Sequence, residues 1–281
     1  MAMQKRAHMG LGRDIIDKRL QWLELRRREG VDGLFRATAL ALPMPPSLHD
    51  ALLVPRGDRA VIARVSREDY VGRGGDPKGL ASMVERLTEM GVSALMVSVG
   101  TDVDGVGFED ILCAAQTTHL PIICSDIVLD PLQVTLARAH GAAAVVLAPG
   151  ILDDRAFRAL RRAASDMSLE TVLDISRVSQ VESVTRGRSG QQSGSECRVW
   201  SADLLGTNGE NAGPFRERFG AVLPEFSMGL VPVDVDATAD EIDGLSSLPQ
   251  VVPVIDVSTP ELARVEERVG RLVGALAVGG V

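Results

Sequence analysis

Short apolar runs alternate with amphipathic stretches from about residue 60 onward. The runs are Val61 to Val65, Ala94 to Val99, Leu120 to Cys124, Ala143 to Ala148, Thr171 to Ile175, Arg198 to Trp200, Val251 to Ile255 and Leu272 to Val278. Between them, Gly79 to Met90, Phe108 to Gln116, Pro131 to His140, Asp153 to Met167 and Pro260 to Arg271 carry the three-to-four-residue spacing of a helix with one apolar face. Strand followed by helix, repeated at this spacing, predicts parallel βαβ units. Eight runs predict a closed (β/α)₈ barrel, with an open doubly wound sheet as the alternative.

The punctuation agrees with this pattern. Gly91 and Gly141 stand where two helices need a left-handed residue to stop. Asp130-Pro131 and Thr259-Pro260 put proline at the first helical position behind a capping side chain. Upstream, Asp14 to Glu29 predicts a helix with Ile16, Leu20 and Leu23 on one side and Gly30 as its stop, and Leu42 to Pro46 predicts an extended link. Two domains follow: a helical extension with its proline-rich link over 1–58, and a barrel over 59–281. The polar run Gly187 to Glu196 predicts a loop. Leu205 to Asp243 resists a strand-helix reading, although Gly229 to Val235 has the makings of an additional strand.

The 281 residues suit one barrel of roughly 250. Aromatics are only 3%, so the core is expected to be aliphatic, as suits strands buried on both faces. The net charge of −8 argues against nucleic acid or an anionic membrane as partner. No apolar stretch reaches the ~20 residues of a membrane helix, and no signal peptide is read. Cys113, Cys124 and Cys197, odd in number and widely spaced, predict reduced thiols in a reducing compartment. Neither they nor the four scattered histidines suggest a metal site, and no cofactor motif is present.

The segment Asp126-Ile127-Val128-Leu129-Asp130-Pro131-Leu132-Gln133-Val134, followed by Ala137-Arg138-Ala139-His140-Gly141-Ala142, resembles the KDF-I-x-D-x-x-Q and AR-x-x-GA signatures of the indole-3-glycerol phosphate synthase family, particularly its plant-type forms. Ser47 to Leu52, Gly107 to Asp110, Asp203-Leu204 and Ser258 to Glu261 fall in the same order as family landmarks. The resemblance implies a barrel with a helical extension. It also implies an enzyme of tryptophan biosynthesis, a carbon–carbon lyase closing an indole ring with release of CO₂ and water. A cytoplasmic or organellar location follows, with a plastid among the options. Such chemistry needs a proton donor at the leaving oxygen, cations for carboxylate and phosphate, and a carboxylate to steady developing positive charge.

The residues at the corresponding positions do not supply these groups. The first strand's Glu, Lys and Ser positions carry Arg64, Ser66 and Asp69; the third strand's Lys position carries Ser125. The fifth strand's Glu is Asp174, and the Asn and Arg of the sixth strand's NNRDL fall at Trp200 and Ala202. A hydroxyl is a poor acid near neutral pH, and an arginine does not release its proton. The family's E-S-G turn after the seventh strand falls at Val254-Ile255-Asp256, and Gly279 and Gly280 align with the phosphate loop after the eighth. On that alignment no eighth helix remains, and the apolar strip it would have covered is expected to meet a protein partner. The sequence therefore predicts a non-catalytic structural or interaction subunit. An active synthase and a small-ligand sensor at the barrel mouth are the alternatives. Asp69, Asp126, Asp174 and Asp203 are further expected to approach the mouth around Arg64.

Overall fold

A computed structural model of the protein describes residues 13–54, 60–66, 77–99, 107–175, 180, 199–202, 228–233, 251–257, 269–270 and 273. Eight strands close into a barrel in chain order: β1 Ile62–Ser66, β2 Ala94–Ser98, β3 Ile122–Ser125, β4 Ala144–Leu147, β5 Glu170–Ile175, β6 Val199–Ala202, β7 Met228–Val233 and β8 Val251–Asp256. Every neighbouring pair is parallel, and β8 returns to pair with β1. The described helices are α1 Arg13–Arg28, α2 Asp32–Ala41, α3 Leu48–Leu53, α4 Pro77–Glu89, α5 Gly107–Thr117, α6 Pro131–Ala139 and α7 Asp154–Asp166.

Successive strand residues point to opposite faces of a sheet, and this divides the core in two. Ile62, Ala94, Met96, Ile123, Ala144, Val146, Val172, Met228, Leu230, Val252 and Val254 fill the barrel interior together with Leu48 and Leu52 of α3. The alternate residues, among them Ala63, Val65, Leu95, Val97, Cys124, Val145, Leu147 and Leu173, pack outward against the apolar faces of the helices.

Local chemistry sets the helix ends. Asp130 caps α6 by accepting from Leu132 N, Gln133 reaches back to the Asp130 N–H, and Pro131 sits at the first helical position. Gly91 and Gly141 adopt φ of +86° and +95°, the left-handed turn expected of them.

The extension wraps the barrel from end to end. Glu170, at the start of β5, accepts from Leu48 N at 2.7 Å and His49 N at 3.1 Å, so α3 plugs the N-terminal end of the barrel. Arg138 of α6 donates to the carbonyls of Leu42 and Pro43 and fixes the link. Burial lowers the pKa of this guanidinium from its ordinary value. α1 lies at the opposite end, beside the segments that leave β2 and β3.

Two expectations need correction. The run at 251–256 is the eighth strand, not the seventh. The strand left out of the eight is β7, which matches the additional strand read at Gly229 to Val235. Gly229 and Pro232 blunt its pattern, since both are poor strand residues. Of the run read as the eighth strand, Val273 is described and is helical. Residues 269, 270 and 273 are helical, and Val269 and Val273, one turn apart, are buried in the same cluster as the outward-facing strand residues. Helical residues thus follow β8, and the apolar strip attributed to the absence of a last helix no longer follows.

Candidate active site at the strand tips

Continuing the alternation beyond the interior cluster brings a set of polar residues to the C-terminal ends of the strands. On β1 these are Arg64 and Ser66, on β2 Ser98, on β3 Ser125 and on β5 Asp174. The parallel register sets Ser66 beside Ser98 and Ser98 beside Ser125. Three hydroxyl-bearing residues therefore form one row across β1, β2 and β3, just above the apolar filling. Ser125 is buried at 6% exposure and Asp174 at 3%, whereas Ser66, Ser98 and Arg64 are half-buried. Arg64 is in register with Met96 on one side and Asp256 of β8 on the other.

Trp200 and Ala202, where the resemblance seats Asn and Arg, register with Leu173 and Ile175; the residue level with Asp174 is Ser201. Asp69, Asp203, Gly279 and Gly280 lie outside the described residues.

Asp126 does not join this mouth. Its Oδ1 accepts from Arg19 at 2.7 Å and from Ile127 N at 2.7 Å, and its Oδ2 accepts from the Gln133 amide at 2.9 Å. Arg19 also donates to the Val99 carbonyl at 3.3 Å, and Gln133 to the Ile127 carbonyl at 2.9 Å. Burial pushes the Asp126 carboxyl above its ordinary range, with Arg19, Gln133 and Ile127 opposing that rise. Its acceptor sites are thus committed to shaping the loop after β3 and anchoring α1 over it. Arg27 pairs with Asp130 further along the same loop, and Trp22 stacks on Phe108 of α5 at 5.9 Å.

Reasoning from sequence passed over two of these residues. Ser98 was legible as the position two beyond the interior Met96 on a run already counted as a strand. Arg19 sits three residues from both Ile16 and Trp22 and so falls on the buried stripe of α1, where a charge demands a partner. Among the described residues, no group of three His, Cys, Asp or Glu could hold a metal ion.

A closed parallel barrel with helices outside, and with its polar interior residues at the C-terminal strand ends, places this chain among the (β/α)₈ barrel proteins, whose active sites occupy that face. A profile described as indole-3-glycerol phosphate synthase matches residues 13–188. The chain belongs to the indole-3-glycerol phosphate synthase family.

An indole-3-glycerol phosphate synthase of Staphylococcus haemolyticus is 28% identical over 128 residues, 46% of this chain and 49% of that protein. One from Opitutus terrae is 26% identical over 235 residues, 77% of this chain and 83% of the relative. The tryptophan biosynthesis protein TrpCF of Corynebacterium glutamicum is 32% identical over 92 residues, 33% of this chain and 19% of that protein. The chain therefore spans about half of the first relative's length and most of the second's. Among solved structures, tryptophan synthase from M. tuberculosis aligns with a TM-score of 0.56 at 13% identity, covering 83% of this chain and 97% of that one. Orotidine 5'-phosphate decarboxylase from Pyrococcus horikoshii aligns with a TM-score of 0.53 at 14% identity, covering 79% of this chain and 100% of that one. At these identities the likeness concerns the fold alone.

Proposed function

We propose that this chain is a family member that does not close the indole ring and serves as a structural or interaction subunit. One observation carries the reading: the two strand tips at which the family resemblance calls for lysine hold Ser66 and Ser125, and both face the barrel mouth. Ring closure with loss of CO₂ and water needs a group that gives up a proton near neutral pH and a cation for the departing carboxylate. A serine hydroxyl does neither. Arg64 adds charge and hydrogen-bond donors, but a guanidinium does not serve as a general acid or base. A lost acid or base costs roughly 10²–10⁴ in rate, and groups that act as a unit leave little beyond binding once removed.

In this reading 1–58 is the extension and 59–281 the barrel. The interaction role draws on the apolar side chains that the extension leaves in water: Leu34 is 67% exposed, Leu40 60% and Met44 76%. Side chains so placed mark a partner surface when they form a patch. Neither Cys113 nor Cys124 is in a disulfide, which supports a reducing compartment, cytoplasmic or organellar. Among those residues no helix is long and apolar enough to cross a membrane.

Catalysis of the family reaction is the second reading, favoured by the names of the relatives. The assay that separates the two supplies the carboxyphenylamino-deoxyribulose phosphate substrate to the purified chain and follows indole fluorescence. No signal above the uncatalysed background is expected. Turnover at enzyme-like rate, or rescue of a tryptophan-requiring strain, would overturn the proposal.

A further inference from the structure

We propose that the outer face of α7 docks an acidic helical segment of a protein partner through Arg155, Arg158 and Arg162. All three are exposed. At helical periodicity they fall within about 60° of one another and span about 10 Å of the helix. Arg161, half-buried beside them, lies over the Phe157 ring at 5.9 Å. α7 carries four arginines and no lysine. A guanidinium is planar with paired donors, and it is the cation that matches a carboxylate in bidentate fashion.

The described fold leaves this charge unanswered. Among the described residues none of the three arginines forms an ion pair. Asp154 and Asp166 stand four residues from Arg158 and Arg162, the spacing of a helical ion pair, yet neither closes on its arginine. Asp153 is committed to capping α7, where it accepts from Ala156 N at 2.7 Å. α6, which packs along α7, has Arg138 as its only charged residue, and Glu170 of β5 is held by the α3 amides. The row is also unfavourable to α7 itself. Arg158 lies three residues from Arg155 and four from Arg162, where like charges repel, and Arg155 stands in the first turn, where the helix dipole disfavours a cation. Carboxylates laid along the row relieve both.

The dimensions of the row select the partner. The whole chain has a net charge of −8, so a polyanion that spreads beyond α7 meets a protein that repels it. Screening confines each charge to about 8 Å at physiological salt. A single helix, roughly 10–12 Å across, stays within that reach of the row, and its carboxylates repeat with the same rise as the arginines. A nucleic acid would also need a stacking surface, and the one aromatic of α7, Phe157, is buried. An anionic membrane would need large apolar side chains on the same face, where the exposed apolar residue is Ala159. The inference rests on the reading of the chain as an interaction subunit and adds the chemistry of a partner.

The full chain is titrated by fluorescence anisotropy with a labelled alanine-based helical peptide bearing glutamates at i, i+3 and i+7. Saturable binding is expected at low salt, weakening as salt rises. Arg158→Gln and Arg162→Gln should each bind about 1.5–5-fold more weakly, as for an exposed ion pair, with melting temperatures close to that of the parent. Reversing the row with Arg155→Glu, Arg158→Glu and Arg162→Glu together should abolish binding of the glutamate peptide and confer binding of its lysine counterpart. The same titrations are run with a thymidine oligonucleotide and with phosphatidylserine-containing vesicles. No saturable binding of the glutamate peptide, unchanged affinity in the glutamine variants, or tighter binding of the oligonucleotide or the vesicles would each overturn the inference. Failure of the peptide to bind leaves the outcome of the indole-fluorescence assay as it stands, and turnover of the family substrate would sink the non-catalytic reading without altering the peptide's affinity.

Discussion

Arg19 of α1 and Asp126 after β3 meet at 2.7 Å with each side chain only 2% exposed, although 107 residues separate them in the chain. A pair so enclosed is costly to assemble, since both ions leave water, and costlier to break, since the survivor stays buried and uncompensated. Arg19→Met is expected to destabilise the protein by about 3–5 kcal/mol in chemical denaturation. The loss depends on pH in a definite direction. Burial already raises the Asp126 carboxyl above its unfolded value, and removing Arg19 removes a group that opposes the rise. Such a carboxyl contributes stability below its unfolded pKa, and this is lost as pH rises through the folded one. The variant should therefore lose less at pH 4 than at pH 7. A penalty that is equal at both would show that Asp126 is not the group left behind.

At the other end of the barrel, Glu170 holds the first two amides of α3 with its two carboxylate oxygens. Both N–H groups belong to a helix start that has no intrahelical acceptors for them. Glu170→Ala strands them in a half-buried setting and is expected to cost about 1–3 kcal/mol per unsatisfied donor. Glu170→Gln keeps one acceptor oxygen and should lose only part of that. Thermal unfolding of the three proteins checks the order: parent, then Gln, then Ala.

Much of the scaffold was legible because the signals were local. Asp130, Pro131 and Gln133 announce a helix start within four residues, and Gly91 and Gly141 announce two ends. The strands of the first half read cleanly, since Val, Ile, Leu and Ala fill both faces of a parallel sheet. The extension and the seventh strand were harder. α2 was not recognised, because Leu34 and Leu40 face water while Ala39 is buried, so no polar face contrasts with an apolar one. In β7, Gly229 and Pro232 dilute the strand signal, so the additional strand read at Gly229 to Val235 was left out of the eight, and that shifted the count of the strands that follow. At the site, Ser66 and Ser125 were legible from the resemblance. Ser98 and the Arg19 anchor depend on register and on packing between distant segments, which no single stretch of sequence records.

Two glycines within helices should respond oppositely to the same change. A Cβ on Gly107 would lie 2.7 Å from the Val99 backbone, a contact that no rotamer change relieves. Gly107→Ala is expected to cost about 1–3 kcal/mol through forced displacement of α5 from β2. Gly33, in α2, has nothing within 4 Å of such an atom and no positive φ. Gly33→Ala should instead stabilise by about 0.5–1 kcal/mol, through lower entropy of the unfolded chain. Midpoints of urea unfolding moving in opposite directions would confirm the approach of Gly107 to Val99.

Cys124 supplies a test of the outer layer. Its side chain is packed between the sheet and the helices, and burial first, then the charge of Asp126, raises the thiol well above its ordinary value, with Arg19 opposing. Only the thiolate is a competent nucleophile, so iodoacetamide at pH 8 should leave Cys124 unmodified in the native protein and label it on unfolding. Cys113, half-buried and also raised by burial, should react slowly but measurably. The same shift predicts an alkaline limit to stability. Below the unfolded thiol's pKa both states are protonated and Cys124 has its full effect. As pH rises past that value the unfolded chain ionises while the folded one does not, and stability falls. Cys124→Ala removes this slope at the cost of a small cavity, so the parent and variant stability curves should converge above about pH 9. Parallel curves across that range, or native labelling of Cys124 at pH 8, would place the thiol outside the core that the β3 alternation assigns it.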